Sequence, residues 1–203
     1  MKATWTVPRW RWCLRGIAAL CLLPAPAMAA QPLVIKPLAE KKVTELPQGD
    51  LYWRIENFGS VAQAQASASR WSLVAESDGK VWLFTLGPSG GASADGHKVG
   101  EVGPIKRIAA AQYLLRINEA SGAPGSTTPV HSHPGSEAFY VLRGEQSIRG
   151  PHGTLRVAAG HPEPGQSPGQ AMQVSSTGST DLHSLVMFVV DAGRPFSSPA
   201  KLP

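Results

Sequence analysis

Short apolar segments alternate with glycine- and proline-rich connections through most of this chain, and this alternation restricts the possible folds most strongly. The segments are rich in β-branched and aromatic residues, which is typical of β-strands. With 21 Gly and 18 Pro among 203 residues, short turns should be frequent, which argues against a long helical bundle. The predicted strands are residues 51–55, 71–75, 81–86, 113–117, 138–142, 154–157, 171–174 and 182–190.

Only one segment has the pattern of a helix. Gly59 and Ser60 precede an alanine- and glutamine-rich stretch at residues 61–69, and serine is a favoured residue at a helix N-terminus. The sequence therefore predicts an all-β sandwich or barrel with at most one or two short helices.

The first 29 residues have the pattern of a secretory signal peptide. Four basic residues precede an apolar stretch at 16–23, two prolines follow, and Ala27-Met28-Ala29 resembles a cleavage site. An uncleaved membrane anchor is the alternative, but the apolar stretch is too short to span a bilayer. We expect export to the periplasm or secretion, without a stable membrane anchor.

Cleavage would change the charge and the redox chemistry of the chain. It removes four of the 19 basic residues and leaves 15 against 14 acidic ones, so the mature chain would be nearly neutral. A nearly neutral chain gives no basis for nucleic-acid binding. Both cysteines, Cys13 and Cys21, would also be removed, which excludes disulfides and thiolate metal ligands from the mature protein.

The remaining chain divides into three predicted parts. Residues 30–49 contain three prolines and are expected to form an extended N-terminal arm, residues 50–192 the folded domain, and residues 193–203 a C-terminal tail. Either terminal segment could wrap around a second subunit, so we consider a homodimer.

The most informative segment is GSTTPVHSHPGSEAFYVLRG, residues 125–144. His131 and His133 are two residues apart, so on an extended chain both imidazoles point to the same side and can converge on one metal ion. Glu137 follows after a Pro-Gly turn and immediately precedes a predicted buried strand, where a carboxylate needs a cationic partner such as a divalent metal. Taken alone, the same residues could also be two surface imidazoles and a solvated strand end.

This segment resembles the first sequence motif of the cupin superfamily. Gly125, His131, His133, Glu137 and Gly144 occupy the five anchor positions of that motif with its spacing. The resemblance implies a cupin-like jelly-roll β-barrel with a central cavity. It also implies that His131, His133 and Glu137 are ligands of a divalent metal.

The second cupin motif is degenerate in this chain. Its best match is residues 168–178, where Met172 stands in place of the expected histidine and Ser176 in place of the expected asparagine. Three interpretations remain. The two histidines and Glu137 form an open site for Fe(II) or Mn(II), Met172 adds a thioether ligand that selects Cu(I), or Met172 is ordinary cavity lining in a protein without metal.

Four further residues are candidates for the cavity wall. Val174 shares a strand face with Met172, Gln170 is a weak substitute for the missing imidazole, and Tyr140 or His161 could transfer protons if they reach the cavity. Two functions follow from the resemblance: a metal-dependent oxygenase or isomerase acting on a small molecule, or a noncatalytic cupin that binds a small ligand or has a structural role.

Overall fold

The computed structural model of this protein describes residues 1–3 and 31–203. Most of the predicted signal peptide, including Cys13 and Cys21, lies outside the described residues. Residues 31–203 form fourteen strands and one helix. They are β1 (Val34–Val43), β2 (Leu51–Phe58), α1 (Val61–Ala66), β3 (Ser72–Ser77), β4 (Lys80–Gly87), β5 (His97–Ile105), β6 (Tyr113–Gly122), β7 (His131–Ser132), β8 (Gly135–Arg143), β9 (Glu145–Gly150), β10 (Gly153–Ala158), β11 (Pro162–Glu163), β12 (Gln173–Ser176), β13 (Leu182–Asp191) and β14 (Ser198–Pro199).

The strands form four antiparallel sheets, and the predicted all-β jelly-roll is confirmed. A five-stranded sheet, in the order β1-β6-β13-β8-β11, is the centre of the fold. One of its faces packs against a four-stranded sheet, β3-β4-β2-β5, and the other faces the sheet β10-β9-β12 and the pair β14-β7.

Because the central sheet is covered on both faces, its inner strands are apolar on both sides. Alternate residues of β13 enter two separate cores: Leu185 and Met187 pack towards the four-stranded sheet, whereas Val186 and Phe188 pack towards the sheet β10-β9-β12. This explains why residues 182–190 are an almost continuous apolar run.

All eight predicted strand segments overlap observed strands, and the predicted helix is present. The side chain of Ser60 caps the first turn of α1 by accepting a hydrogen bond from the backbone N–H of Gln63. The helix ends at Ala66, three residues before the predicted end. Within residues 31–203 no helix is long and apolar enough to cross a membrane.

Two segments expected to lie outside the sheets form edge strands instead. Much of the expected N-terminal arm is β1, which pairs with β6 along its whole length and accommodates Pro37 beside a bulge. The strand β5 lies in the connection between the predicted strands 81–86 and 113–117, and it forms an edge of the four-stranded sheet. An edge strand has a neighbouring strand on one side only and is open to water on the other, so it carries more polar residues. A search for apolar segments in the sequence therefore does not reveal it.

The C-terminal tail is also part of the sheet structure. The strand β14 pairs with β7, so that Ser198 lies opposite Ser132 and Pro199 opposite His131. In this single chain both terminal segments therefore pack against their own domain.

Candidate functional site

The two histidines of the motif lie where three chain segments meet. The residue His131 is hydrogen-bonded to Met172 across the sheet in both directions, with N···O distances of 2.9 and 2.8 Å, and its strand pairs with β14 on the other side. The rings of His131 and His133 are 5.0 Å apart between centroids and nearly perpendicular. Both side chains line one cavity, as their even spacing predicts.

Backbone carbonyl groups determine which nitrogen of each imidazole carries the proton. The Nδ1 atom of His131 lies 2.8 Å from the carbonyl oxygen of Pro129, and Nδ1 of His133 lies 2.7 Å from that of Phe196. Because a carbonyl oxygen can only accept, Nδ1–H is the donor in both contacts. The lone pair of Nε2 is then available to a metal or a ligand in each ring.

Glu137 lies on β8, and its side chain enters the same cavity. The residue is only 2% exposed, and burial raises its pKa to about 8, while a backbone N–H from Gln166 acts in the opposite direction. Its Oε1 atom has no hydrogen-bond partner among the described residues. A buried polar atom without a partner is uncommon and indicates that a further group belongs beside it.

The contact between His133 and Glu137 is not an ion pair in the metal-free protein. Their Nε2 and Oε2 atoms are 3.9 Å apart, which is longer than a hydrogen bond. Burial lowers the pKa of His133 to about 4. Near neutral pH the imidazole is therefore uncharged, and the carboxyl group is largely protonated.

The cavity around these groups has a volume of about 350 Å³ and mostly apolar walls. The polar groups besides the motif residues include Asn118, Thr128 and Ser197. The apolar lining residues include Phe139, Val174, Val186, Phe188 and Phe196.

Met172 lies next to the site but packs into the core. It faces the same side of the sheet as His131, because directly opposed residues of an antiparallel pair share a face. Its side chain is 2% exposed and packs in the core that also contains Phe139 and Val174. In the described chain it is not among the side chains that line the cavity, whereas Val174, two residues further on, is.

Tyr140, Gln170 and His161 do not line this cavity in the part of the chain that the structure describes, contrary to expectation. Tyr140 is three residues from Glu137 on the same strand, so it points to the opposite face and packs in the other core, where its hydroxyl donates to the carbonyl of Val99. The imidazole of His161 is exposed and contacts the carbonyl of Ala159, and the amide oxygen of Gln170 accepts from the backbone N–H of Ser167.

The lining residues that sequence reasoning missed include Asn118 and Phe196. Asn118 follows the predicted strand 113–117, and extending that strand by one residue would have placed it on a sheet face. Phe196 contributes both its ring and its carbonyl oxygen from the tail. No pattern in the sequence indicates this contact.

The donor atoms of His131, His133 and Glu137 are of the chemical types that bind a divalent metal, but they are too far apart to hold one ion in this arrangement. Two imidazole nitrogens and one buried carboxylate oxygen without a partner form a set suited to a 2-His-1-carboxylate site. Among residues 1–3 and 31–203, however, no three His, Cys, Asp or Glu side chains are close enough to hold an ion as they stand. Metal binding would require side-chain movement within the cavity.

Comparison with known proteins gives structural similarities only. No protein-family model and no curated protein match the chain. Similar solved structures include a cupin superfamily protein from Desulfitobacterium hafniense (16% identity over 38% of this chain and 68% of that one, TM-score 0.34). Another is a cupin-like protein from Thermotoga maritima, with 16% identity over 43% of this chain and 65% of that one and a TM-score of 0.37. A third is an oxalate oxidase in complex with the substrate analogue glycolate, with 24% identity over 41% of this chain and 45% of that one and a TM-score of 0.36.

The chain spans from 45% to 68% of the length of these three structures. The jelly-roll assignment itself rests on the strand order and pairing described above.

Proposed function

We propose that this chain is an exported cupin-fold protein that binds a divalent metal through His131, His133 and Glu137 and holds a small molecule in the adjoining cavity. The observation that carries the proposal is the buried carboxyl oxygen of Glu137, which lacks a partner among the described residues and lines the same cavity as two imidazoles whose Nε2 atoms are available. Isolated burial of such a group is unfavourable unless a cation or a donor completes its environment.

Iron or manganese is the expected metal, because two imidazoles and one carboxylate with open positions are typical of Fe(II) and Mn(II) sites. A bound metal of this kind would supply Lewis acidity or oxygen activation at its open positions. Copper is a further candidate only if the thioether of Met172 turns towards His131. Met172 packs in the apolar core, which favours a packing role for this side chain over a role as a copper ligand.

The residues of this chain would perform the remaining tasks. The carbonyl groups of Pro129 and Phe196 would keep the two imidazoles in the tautomer that presents Nε2 to the cavity. Glu137 would offset the charge of the metal, and the phenylalanine side chains would exclude water. If the protein is an enzyme, an oxygenase or an isomerase acting on a small molecule fits this arrangement best.

A noncatalytic ligand-binding cupin without metal is the second candidate. Two observations favour it: the donor groups do not converge as they stand, and Met172 replaces the histidine of the second motif. In this alternative the neutral Glu137 and the histidines would bind the polar group of a ligand directly.

Metal analysis separates the two candidates. The mature protein is purified without chelators and without a histidine tag, and its metal content is measured before and after reconstitution with Fe(II) and Mn(II). The proposal predicts near-stoichiometric metal in the wild type and none in the double variant His131→Ala/His133→Ala, with an unchanged circular dichroism spectrum. Equal metal content in both proteins, or none in the reconstituted wild type, would favour the metal-free alternative.

Export and oligomeric state are part of the proposal and have their own tests. Sequencing the N-terminus of the protein from the periplasm or the medium should find a start at Ala30. Light scattering of the purified protein tests the homodimer. The nearly neutral charge after cleavage supports a small molecule, and not a nucleic acid, as the partner.

A further inference from the structure

The walls of the cavity indicate what kind of molecule it accepts. Three rings are in mutual contact at one side: the centroids of Phe188 and Phe196 are 4.9 Å apart, and each lies 4.8 Å from that of His133. These rings are tilted or edge-on to one another, the arrangement in which aromatic groups attract. Such a wall favours a flat, apolar ring system over a hydrated one.

Six of the sixteen lining residues have polar side chains, and three of these are the motif residues His131, His133 and Glu137. Glu137 is almost completely buried, faces the cavity, and leaves Oε1 without a partner. The side chain of Asn118 is held in place because its Oδ1 accepts a hydrogen bond from Nε of Arg116. A ligand that fits this cavity therefore needs one polar group at the motif end and an apolar body elsewhere.

Fixed positive charge is missing from the lining. In residues 31–203 no Lys or Arg side chain lines the cavity. The guanidinium of Arg116 lies over the ring of Phe196, at 4.3 Å from the centroid, and also contacts the carboxylate of Glu40 at 3.4 Å. Without a bound metal, a small dicarboxylate or a phosphate ester would find no cationic side chain among these lining residues, and the hydroxyl groups of a sugar would face mostly apolar walls.

The cavity also has a suitable size and an opening. Its volume of about 350 Å³ is at the lower end of the range of small-molecule sites. Ile35 lines it and is still 44% exposed, so this residue marks the mouth. A cavity of this volume has room for a molecule of one or two rings.

We propose that the cavity binds an uncharged, largely apolar molecule of one or two rings that bears a single polar group directed at His131, His133 and Glu137. This inference deepens the proposed function and rests on it for the location of the site. It concerns the cavity without metal, in which no cationic side chain of residues 31–203 is among the lining residues, so it is tested in EDTA.

The test uses 6-propionyl-2-dimethylaminonaphthalene, an uncharged two-ring probe whose fluorescence rises and shifts to shorter wavelength in apolar surroundings. The probe is titrated into the mature protein in EDTA, and 2-naphthol, oxalate and glucose are added as competitors. We expect saturable binding at one site per chain, displaced by 2-naphthol and unaffected by oxalate or glucose. The absence of saturable binding, or displacement by oxalate or glucose, would overturn the proposal.

Variants locate the binding site. Ala120 is 1% exposed and lines the cavity, so Ala120→Phe should fill it and weaken probe binding about tenfold or more. Val174→Thr keeps the volume and adds a hydroxyl to the wall, so it should weaken binding by a smaller factor even if the larger substitution unfolds the chain. Leu155→Phe, at an exposed position of β10, is the matched control and should bind like the wild type.

The outcome is distinguishable from that of the metal experiment. Unchanged probe affinity in both cavity variants would contradict the proposal even if the protein binds metal. Conversely, probe binding that both cavity variants weaken would support it in a protein that reconstitution fails to load with metal.

Discussion

The Nδ1 atom of His133 lies 2.7 Å from the backbone carbonyl oxygen of Phe196, sixty-three positions later in the chain. This contact connects the C-terminal tail directly to the candidate metal site. The ring of Phe196 packs on the same imidazole and on Phe188, so one tail residue both orients His133 and encloses it.

The tail should therefore control metal affinity. Deleting residues 195–203 removes the carbonyl acceptor, the aromatic ring and β14, and we expect metal affinity to fall by about 10- to 100-fold because His133 loses its orienting partner. Isothermal titration with Mn(II) measures the change. Deletion of residues 201–203 alone is the control and should leave affinity intact, and equal affinity of the two truncated proteins would show that the contact has no role.

Stability of the metal-free protein should depend on pH in a defined way. Burial lowers the pKa of His133 to about 4, so the unfolded chain binds a proton that the folded one does not, and the stability from this group increases as pH rises from about 4 to 6.5. Burial raises the pKa of Glu137 to about 8. Here the folded state holds the extra proton, so stability falls as pH rises from about 4.5 to 8.

The contributions of His133 and Glu137 to the free energy of unfolding oppose each other below pH 6.5. Between about pH 6.5 and 8 only that of Glu137 changes, so the free energy of unfolding should decrease. Urea denaturation in EDTA at pH 6.5 and 8 measures it. In Glu137→Gln the decrease should be largely absent, because the amide does not titrate. A wild type and a variant with the same decrease would contradict the assignment of this effect to Glu137.

Met172 should behave as a core residue. Its side chain is buried among apolar residues, so Met172→Leu should cost less than about 1.5 kcal/mol and leave metal content unchanged. Met172→His places an imidazole opposite His131 and should tighten divalent-metal binding, since directly opposed residues share a sheet face. Loss of metal in the leucine variant would instead make the thioether a ligand.

Tyr140 should have no part in the site. Its hydroxyl donates to the carbonyl of Val99 in the core between the five- and four-stranded sheets, so Tyr140→Phe should cost about 1 kcal/mol of stability through that hydrogen bond. Metal and probe affinities should match the wild type. A selective loss of either affinity would restore Tyr140 to the cavity.

Much of the fold could be predicted because its inner strands have a simple pattern. Residues 182–190 form a strand that is buried on both faces, and such a strand is expected to be mostly apolar. The edge strands β1 and β5 escaped prediction because water on one side removes the need for apolar residues. In β1, Pro37 also resembled a strand breaker, although a bulge at an edge accommodates it.

The site was only partly predictable for similar reasons. Strand periodicity brings His131 and His133 to one cavity, and the same rule, applied between Glu137 and Tyr140, would have placed the tyrosine on the opposite face. The role of Phe196 could not be predicted, because its carbonyl group is common to every residue and only the path of the tail brings it to His133.

The most direct test of the central claim is an anomalous difference map from crystals of the mature protein grown with MnCl₂. We expect one strong peak in the cavity at about 2.0–2.3 Å from Nε2 of His131, Nε2 of His133 and a carboxylate oxygen of Glu137. A fully ordered cavity without a peak, or a peak coordinated by other residues, would contradict it.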